Sequence, residues 1–567
     1  MNARVFRVLP AVLVLVASIS AIPARALAVQ CAPARPIGGG GDWPQFGQNI
    51  RSDRNQTGEH YLDASNAPLL QPAWTFDANR WTHATNNEIT SYPVEADGCV
   101  FVGSSVGNDA QGQHLPGWIF AMNADNGDVV WEQQVRGAAY STLAVSDGVV
   151  YAFVSVVSAP YVVAFDEFTG AKLWETVVDE QPGSDAVSSP VVYDGLVWVG
   201  ISGTNAEGSA ADRPGFEGST VLLAAKTIEA PEFRPLDAGA PTGAVKTYRP
   251  GEIVRKLYSI PPSEWKQGYA GGSQWGTIAI DPETGYGYEG TGNPFNYDFE
   301  HAHTNAILKI DLDRARDSFG RITASYKGDI EQGAQEAAGV VPCHEAEQIA
   351  GFFGAGFECV HLDLDFGATP NIIRDANGRK LIVEGQKSGV VHFVDADTMA
   401  PVAKLRLGIP SAVGGMVGSG ATDGTLVFGS HTVGGYLYAV DAAATPKWVT
   451  PTADGVHWGP PVSMANHVIY VVDLKGFLDA YDSGTGAPLL HRPLQLPGVE
   501  ASLAPSARLT GDPATIENPP LSWGGTTIAR NTVYVSTGVG LSQGLPNGAG
   551  SLPDGFVIAF RPAAVPR

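Results

Sequence analysis

Three features of this 567-residue chain predict an all-β fold, an eight-bladed β-propeller. They are a phrase recurring at the spacing of one blade, a second phrase pairing two strands about Asp-Gly, and a turn-rich composition. The first phrase has alternating apolar residues, then Asp or Asn, a short turn with Gly, and often Trp. It runs Phe120-Ala-Met-Asn-Ala-Asp-Asn-Gly-Asp-Val-Val-Trp131 and again Val163-Ala-Phe-Asp-Glu-Phe-Thr-Gly-Ala-Lys-Leu-Trp174. Looser copies begin at Ala279, Phe393, Tyr438, Ala480 and Val557. The second phrase is typified by Pro190-Val-Val-Tyr-Asp-Gly-Leu-Val-Trp-Val-Gly200. Asp-Gly supplies the left-handed residues a tight hairpin needs. With 68 glycines, 40 prolines and only 16% charged residues, the chain suits many short strands and not a helical bundle. A single blade cannot bury both faces, so blades must stack in a ring, and the blade tryptophans are expected to dock each blade on the next. The copies, with longer irregular stretches at 202–270 and 313–365, give eight blades. The segment Asp42-Trp-Pro-Gln-Phe-Gly47 is expected near the last strand, with closure of the ring by a terminal strand.

Residues 1–28 carry Arg4 and Arg7, an apolar run from Leu9 to Ile22, and small residues at Ala26 and Ala28, the pattern of a secretory signal peptide. The expected organisation is therefore signal peptide 1–28, N-terminal extension 29–41, and one propeller over 42–567. No other stretch has the apolar length of a membrane span. The reading is export to the periplasm or beyond. Loss of residues 1–28 removes three arginines and no acid, moving the formal net charge from −23 to −26. Such a charge repels nucleic acid and would steer a basic electron carrier towards the surface. The four cysteines, Cys31, Cys99, Cys343 and Cys359, allow three pairings. Proximity favours Cys343 with Cys359, which leaves Cys31 with Cys99. With no Cys-x-x-Cys-His, the chain holds no covalent c-type haem.

Four further phrases carry a resemblance: Gly268-Tyr-Ala-Gly-Gly-Ser-Gln-Trp-Gly276, Gly290-Thr-Gly-Asn-Pro294, Asp365-Phe-Gly-Ala-Thr-Pro-Asn371 and Gly385-Gln-Lys-Ser-Gly-Val390. In this order they resemble the quinoprotein alcohol dehydrogenases, and within them the polyvinyl alcohol dehydrogenase group, from about Asp42 to the C-terminus. The resemblance implies pyrroloquinoline quinone (PQQ) and Ca2+ in the central funnel, an alcohol substrate, and an external cytochrome c-like electron acceptor. It implies that Trp275 lies flat against the quinone and that Asn293, 18 residues on, binds calcium. A planar cofactor needs an aromatic floor and a hard dication needs oxygen ligands. Asp365 then matches the catalytic base, also placed at the metal, and Lys387 the cation beside the quinone oxygen. Asp363 takes the place of Asp365 if the register differs by two. The metal's glutamate matches Glu207, with Glu217 as rival. Glu88, Trp458 and Trp523 match other cofactor-facing positions. Gly367 stands where lanthanide-using relatives carry a second aspartate, which favours calcium.

Two departures bear on the substrate. Gly137-Ala-Ala-Tyr-Ser141 occupies the region where the methanol-oxidising branch has adjacent cysteines, and Gly414-Gly-Met-Val-Gly418 lacks the tryptophan expected of polymer-oxidising relatives. Two other readings remain: a cofactor-free propeller that binds protein or glycan, and a sugar dehydrogenase on the same cofactor, whose site histidines find no evident cluster here. Convergence of Trp275, Asn293, Asp365 and Lys387 on one cavity separates the enzyme from the scaffold.

Overall fold

The structure is a computed structural model that describes residues 29–33, 40–82, 87–203, 215–233, 241–296, 300–330, 364–408, 415–432, 435–453, 461–473, 476–494, 524–538 and 555–563. Eight antiparallel sheets follow one another along the chain as the blades of a propeller. Blades 1 to 7 span 94–134, 144–177, 185–258, 279–327, 371–406, 421–451 and 463–493. Blade 8 takes three strands from 526–562 and its outermost strand from Leu70–Asp77, which pairs antiparallel with Phe556–Pro562. The ring is thus closed by strands from both ends of the chain. The irregular stretch after 202 holds the outer strands of blade 3 and an inserted hairpin, Ile228–Pro231 with Val245–Tyr248.

The repeats fold as their residues dictate. Asp97-Gly98, Asp147-Gly148 and Asp194-Gly195 all have positive φ at both positions, the geometry of a twisted two-residue hairpin turn. Each blade tryptophan serves the next blade. The Trp131 indole donates to the Glu167 carbonyl across 2.7 Å and covers Gly170, where a Cβ would lie 2.7 Å from the ring. Trp74 covers Gly127 and Trp448 covers Gly486 in the same way. Nearer the axis, a backbone N–H of one blade reaches a hydroxyl of the next: Tyr92 to Thr142, Thr142 to Ser189, Ser189 to Thr277, and Thr369 to Ser419.

The segment Asp42–Gly47 lies near the last blade, with Asp42 3.5 Å from Arg530 and Trp43 in one apolar cluster with Phe556 to Phe560, but its backbone pairs elsewhere. Trp43 bridges Glu95 on the innermost strand of blade 1, and the Pro44 carbonyl accepts from Val145 of blade 2. The chain then crosses the inner strands. Ile50 accepts from Ile280 of blade 4, Asp53 from Thr422 of blade 6, and Arg54 from Met464 of blade 7. The buried Arg54 side chain donates to the Phe46, Val462 and Thr526 carbonyls and to Ser463 Oγ. A short local segment wins this place because each inner strand offers it a backbone group that would otherwise be buried unpaired. Cys31 and Cys99 form a disulfide, with Cα atoms 4.8 Å apart. Cys343 and Cys359 lie outside the described residues. Among the described residues no helix is long and apolar enough to cross a membrane.

Candidate functional site

In an antiparallel blade the loop entering the first strand and the end of the second strand emerge on the same face. Trp275 and Asn293 hold these two positions in blade 4; Asp365 and Lys387 hold them in blade 5. The fold thereby gathers four residues spread over 113 positions of sequence. Asp365 is their centre. Its Oδ1 accepts from the Asn293 backbone N–H at 2.6 Å, and its Oδ2 accepts from Trp275 Nε1 at 2.8 Å and from Lys387 Nζ at 3.3 Å. The Lys387 amide also donates to the Asp365 carbonyl at 3.1 Å, locking the two loops together. The ammonium lies 5.2 Å from the Trp275 ring centroid, within cation–π range. Asp365 and Lys387 are both buried, so their attraction is little screened. Three donors fix the orientation of the carboxylate.

Gly367 explains the pose of Trp275. A Cβ there would fall 2.0 Å from the indole, so any side chain at 367 would displace the ring. Asn293 follows the strand Tyr286–Gly290, and its carbonyl accepts from the Gly272 amide at 3.0 Å.

Glu217 is buried beside this turn. Its backbone bridges Gly271, which bridges Pro294, and Gln181 clasps its N–H and carbonyl, each at 3.0 Å. Burial pushes its carboxyl up to about 9, and among the described residues its Oε2 has no hydrogen-bond partner. A buried carboxyl of this kind suits a cation. Glu207, the first choice from sequence, lies outside the described residues, as do Asp363, Trp458 and Trp523. Glu88 is buried at the seam of blades 8 and 1, bridged to Ser105. Blade 1 is opposite blade 5 in a ring of eight, so Glu88 can meet the other four only across whatever fills the centre.

Sequence reasoning passed over a second polar cluster on blades 1 to 3. Asp185 Oδ2 lies 3.2 Å from His114 Nε2 and 3.3 Å from the Tyr140 hydroxyl, and Ser155 donates to Oδ1. Asn108 holds the other His114 nitrogen at 2.7 Å. These residues share no local motif, so only the ring brings them together.

The residue types present fit the expected groups: Asp365 and Glu217 would offer a hard cation carboxylates and Asn293 a carboxamide, and Trp275, with the Lys387 ammonium 5.2 Å from its ring centroid, would offer a planar cofactor an aromatic floor. Polyvinylalcohol dehydrogenase of Pseudomonas sp is 25% identical over 530 residues, covering 88% of this chain and 73% of its own. The enzyme of the same name from Sphingopyxis sp. (strain 113P3) is 24% identical, covering 84% and 69%. The chain resembles the PQQ-dependent alcohol dehydrogenases. Among solved structures, a europium-containing methanol dehydrogenase superposes with a TM-score of 0.62 at 14% identity, covering 92% of this chain and 98% of that one. That likeness shows the eight-bladed propeller fold. A family model described as outer membrane protein assembly factor BamB matches residues 71–213.

Proposed function

We propose that the protein is an exported quinoprotein alcohol dehydrogenase that oxidises a secondary or polymeric alcohol and passes electrons to an external cytochrome c-like acceptor. The carrying observation is the convergence of Trp275, Asn293 and Lys387 on the Asp365 carboxylate. A scaffold has no need of a buried carboxylate held by an indole, an amide and an ammonium. When bound, PQQ supplies a two-electron acceptor and Ca2+ a Lewis acid. Trp275 forms the floor for the quinone, with Glu88, Trp458 and Trp523 as further contacts. Asn293, Asp365 and a glutamate, Glu207 or Glu217, hold the metal. Asp365 accepts the proton of the substrate hydroxyl, and Lys387 places its positive charge where the reduced cofactor becomes anionic. The buried setting of both keeps that charge effective by excluding water. The Cys31–Cys99 disulfide accords with an oxidising compartment, and the formal charge of −23 favours a basic redox partner.

The BamB match favours the second reading, a cofactor-free binding propeller. Reconstitution separates the two. Purified protein given PQQ and Ca2+ should reduce an artificial dye with secondary alcohols and with polyvinyl alcohol. Failure to bind the quinone at all would leave the binding propeller as the better account.

A further inference from the structure

Behind Trp275 runs a chain of hydrogen bonds whose direction is set at one end. Ser259 Oγ lies 2.7 Å from the Gly272 carbonyl oxygen, which can only accept, so the single hydroxyl proton points there. Gln274 Nε2 therefore donates to Ser259 Oγ, at 2.9 Å, and Gln274 Oε1 turns to Thr220 Oγ1. Thr220 must give its one proton to that oxygen. Yet Thr220 Oγ1 also lies 2.6 Å from Glu289 Oε1, and the proton of this bond has only one remaining source. Turning the Gln274 amide round does not help, because Ser259 would then face two acceptors with one proton.

We infer that Glu289 is a neutral carboxylic acid in the native protein, and that its proton completes the chain positioning Gln274, the neighbouring Trp275, and the Gly272 amide on which Asn293 rests. Glu289 is a positioning residue and acts through Thr220 and Gln274. The functional half of this inference rests on the reading of Trp275 and Asn293 given above; the protonation does not.

The surroundings agree. Glu289 is buried on the second strand of blade 4, pairs with Leu308, and faces blade 3. Trp198 and Thr220 come towards it from blade 3. Burial raises its carboxyl to about 8, with Thr220 and Trp198 acting in the opposite sense and no charged group contributing. Cations on the adjoining strands are held elsewhere: Lys309 by the Ala396 and Asp397 carbonyls, Arg255 by the Gly320 carbonyl, and Lys256 by Asp179. Tyr288 donates away from it, to the Ala396 carbonyl, and Tyr258 ionises only far above neutrality. Glu217, ahead of the Thr220 strand, titrates at about 9 and must be told apart from Glu289.

Glu289→Gln makes that distinction, because its amide N–H replaces the acid proton and cannot ionise. In the apoprotein, the proton held by Glu289 stabilises the fold fully below about pH 4.5 and ceases to do so as pH rises through about 8. Wild type should therefore lose about tenfold in folding equilibrium constant per pH unit relative to E289Q across that window. Acrylamide quenching of Trp275, read as wild type minus W275F, should rise above pH 8 and stay flat in E289Q. An E289Q protein with the wild-type pH profile, or as unstable at pH 6 as E289A, would overturn the inference. If E289Q does not fold, the protonated-carboxyl infrared band at pH 7, to which buried Glu384 and Glu217 also contribute, should show a shifted component in Thr220→Val, which removes the acceptor of Glu289. An unshifted band would also overturn it. Quinone affinity that falls above pH 8 in wild type but not in E289Q would support the functional half. A flat profile in both would confine Glu289 to a structural role, whatever alcohol is oxidised.

Discussion

Trp275 Nε1 donates to Asp365 Oδ2 across 2.8 Å, so the residue expected to floor the cofactor also aims the residue expected to take the proton. The bond joins adjacent blades, and it makes floor and base one unit.

Replacing Trp275 with Phe keeps an aromatic ring and deletes this donor. A hydrogen bond to a charged group is worth about 1.5–3 kcal/mol, so kcat should fall about tenfold to hundredfold. Quinone retention, measured by equilibrium dialysis, should fall less. Equal losses in both would mean that the indole only stacks.

Asp365→Asn keeps the shape and removes the base. Turnover should drop by about 10² to 10⁴ while quinone stays bound. Lys387→Ala should slow turnover and also weaken quinone retention. Normal turnover by Asp365→Asn together with inactivity of Asp363→Asn would place the base two residues earlier.

Calcium titrations of the holoenzyme test the metal set. Asn293→Ala should raise the calcium required for reconstitution, and an unchanged requirement would remove Asn293 from the site. Glu217 has a carboxyl raised by burial to about 9, and it must lose its proton to bind a cation. If it is the ligand, calcium affinity should rise about tenfold per pH unit from pH 6 towards 9, and Glu217→Gln should abolish the dependence. A shallow profile with loss of binding in Glu207→Gln would assign Glu207 instead.

The Cys31–Cys99 bond closes a loop with a sequence separation of 68 and ties the N-terminal segment to blade 1. Cys31→Ser should lower stability by about 2–4 kcal/mol, seen as a lower Tm, with kcat unchanged. Peptide mapping without reduction should recover this pair, and a Cys343–Cys359 peptide alongside it. Recovery of a Cys31–Cys343 peptide would refute both pairings.

The sequence by itself determined the ring and named four residues that the fold brings together. Blade period, Asp-Gly turns and docking tryptophans are local patterns, and each is satisfied within a blade or at the seam to its neighbour, so a linear reading finds them. Trp275, Asn293, Asp365 and Lys387 were legible only through the four phrases that resemble the quinoprotein alcohol dehydrogenases; the structure then places each before a first strand or after a second. Tertiary structure alone decided what depends on contacts between distant blades. The last blade is completed by Leu70–Asp77, and Arg54 reaches carbonyls more than 400 residues away, because buried backbone groups take whichever partner the closed ring brings near. The same holds for Glu289. Its position marks it only as a polar residue on a strand, and its proton follows from the one-way chain through Thr220, Gln274 and Ser259 that ends on a carbonyl able only to accept.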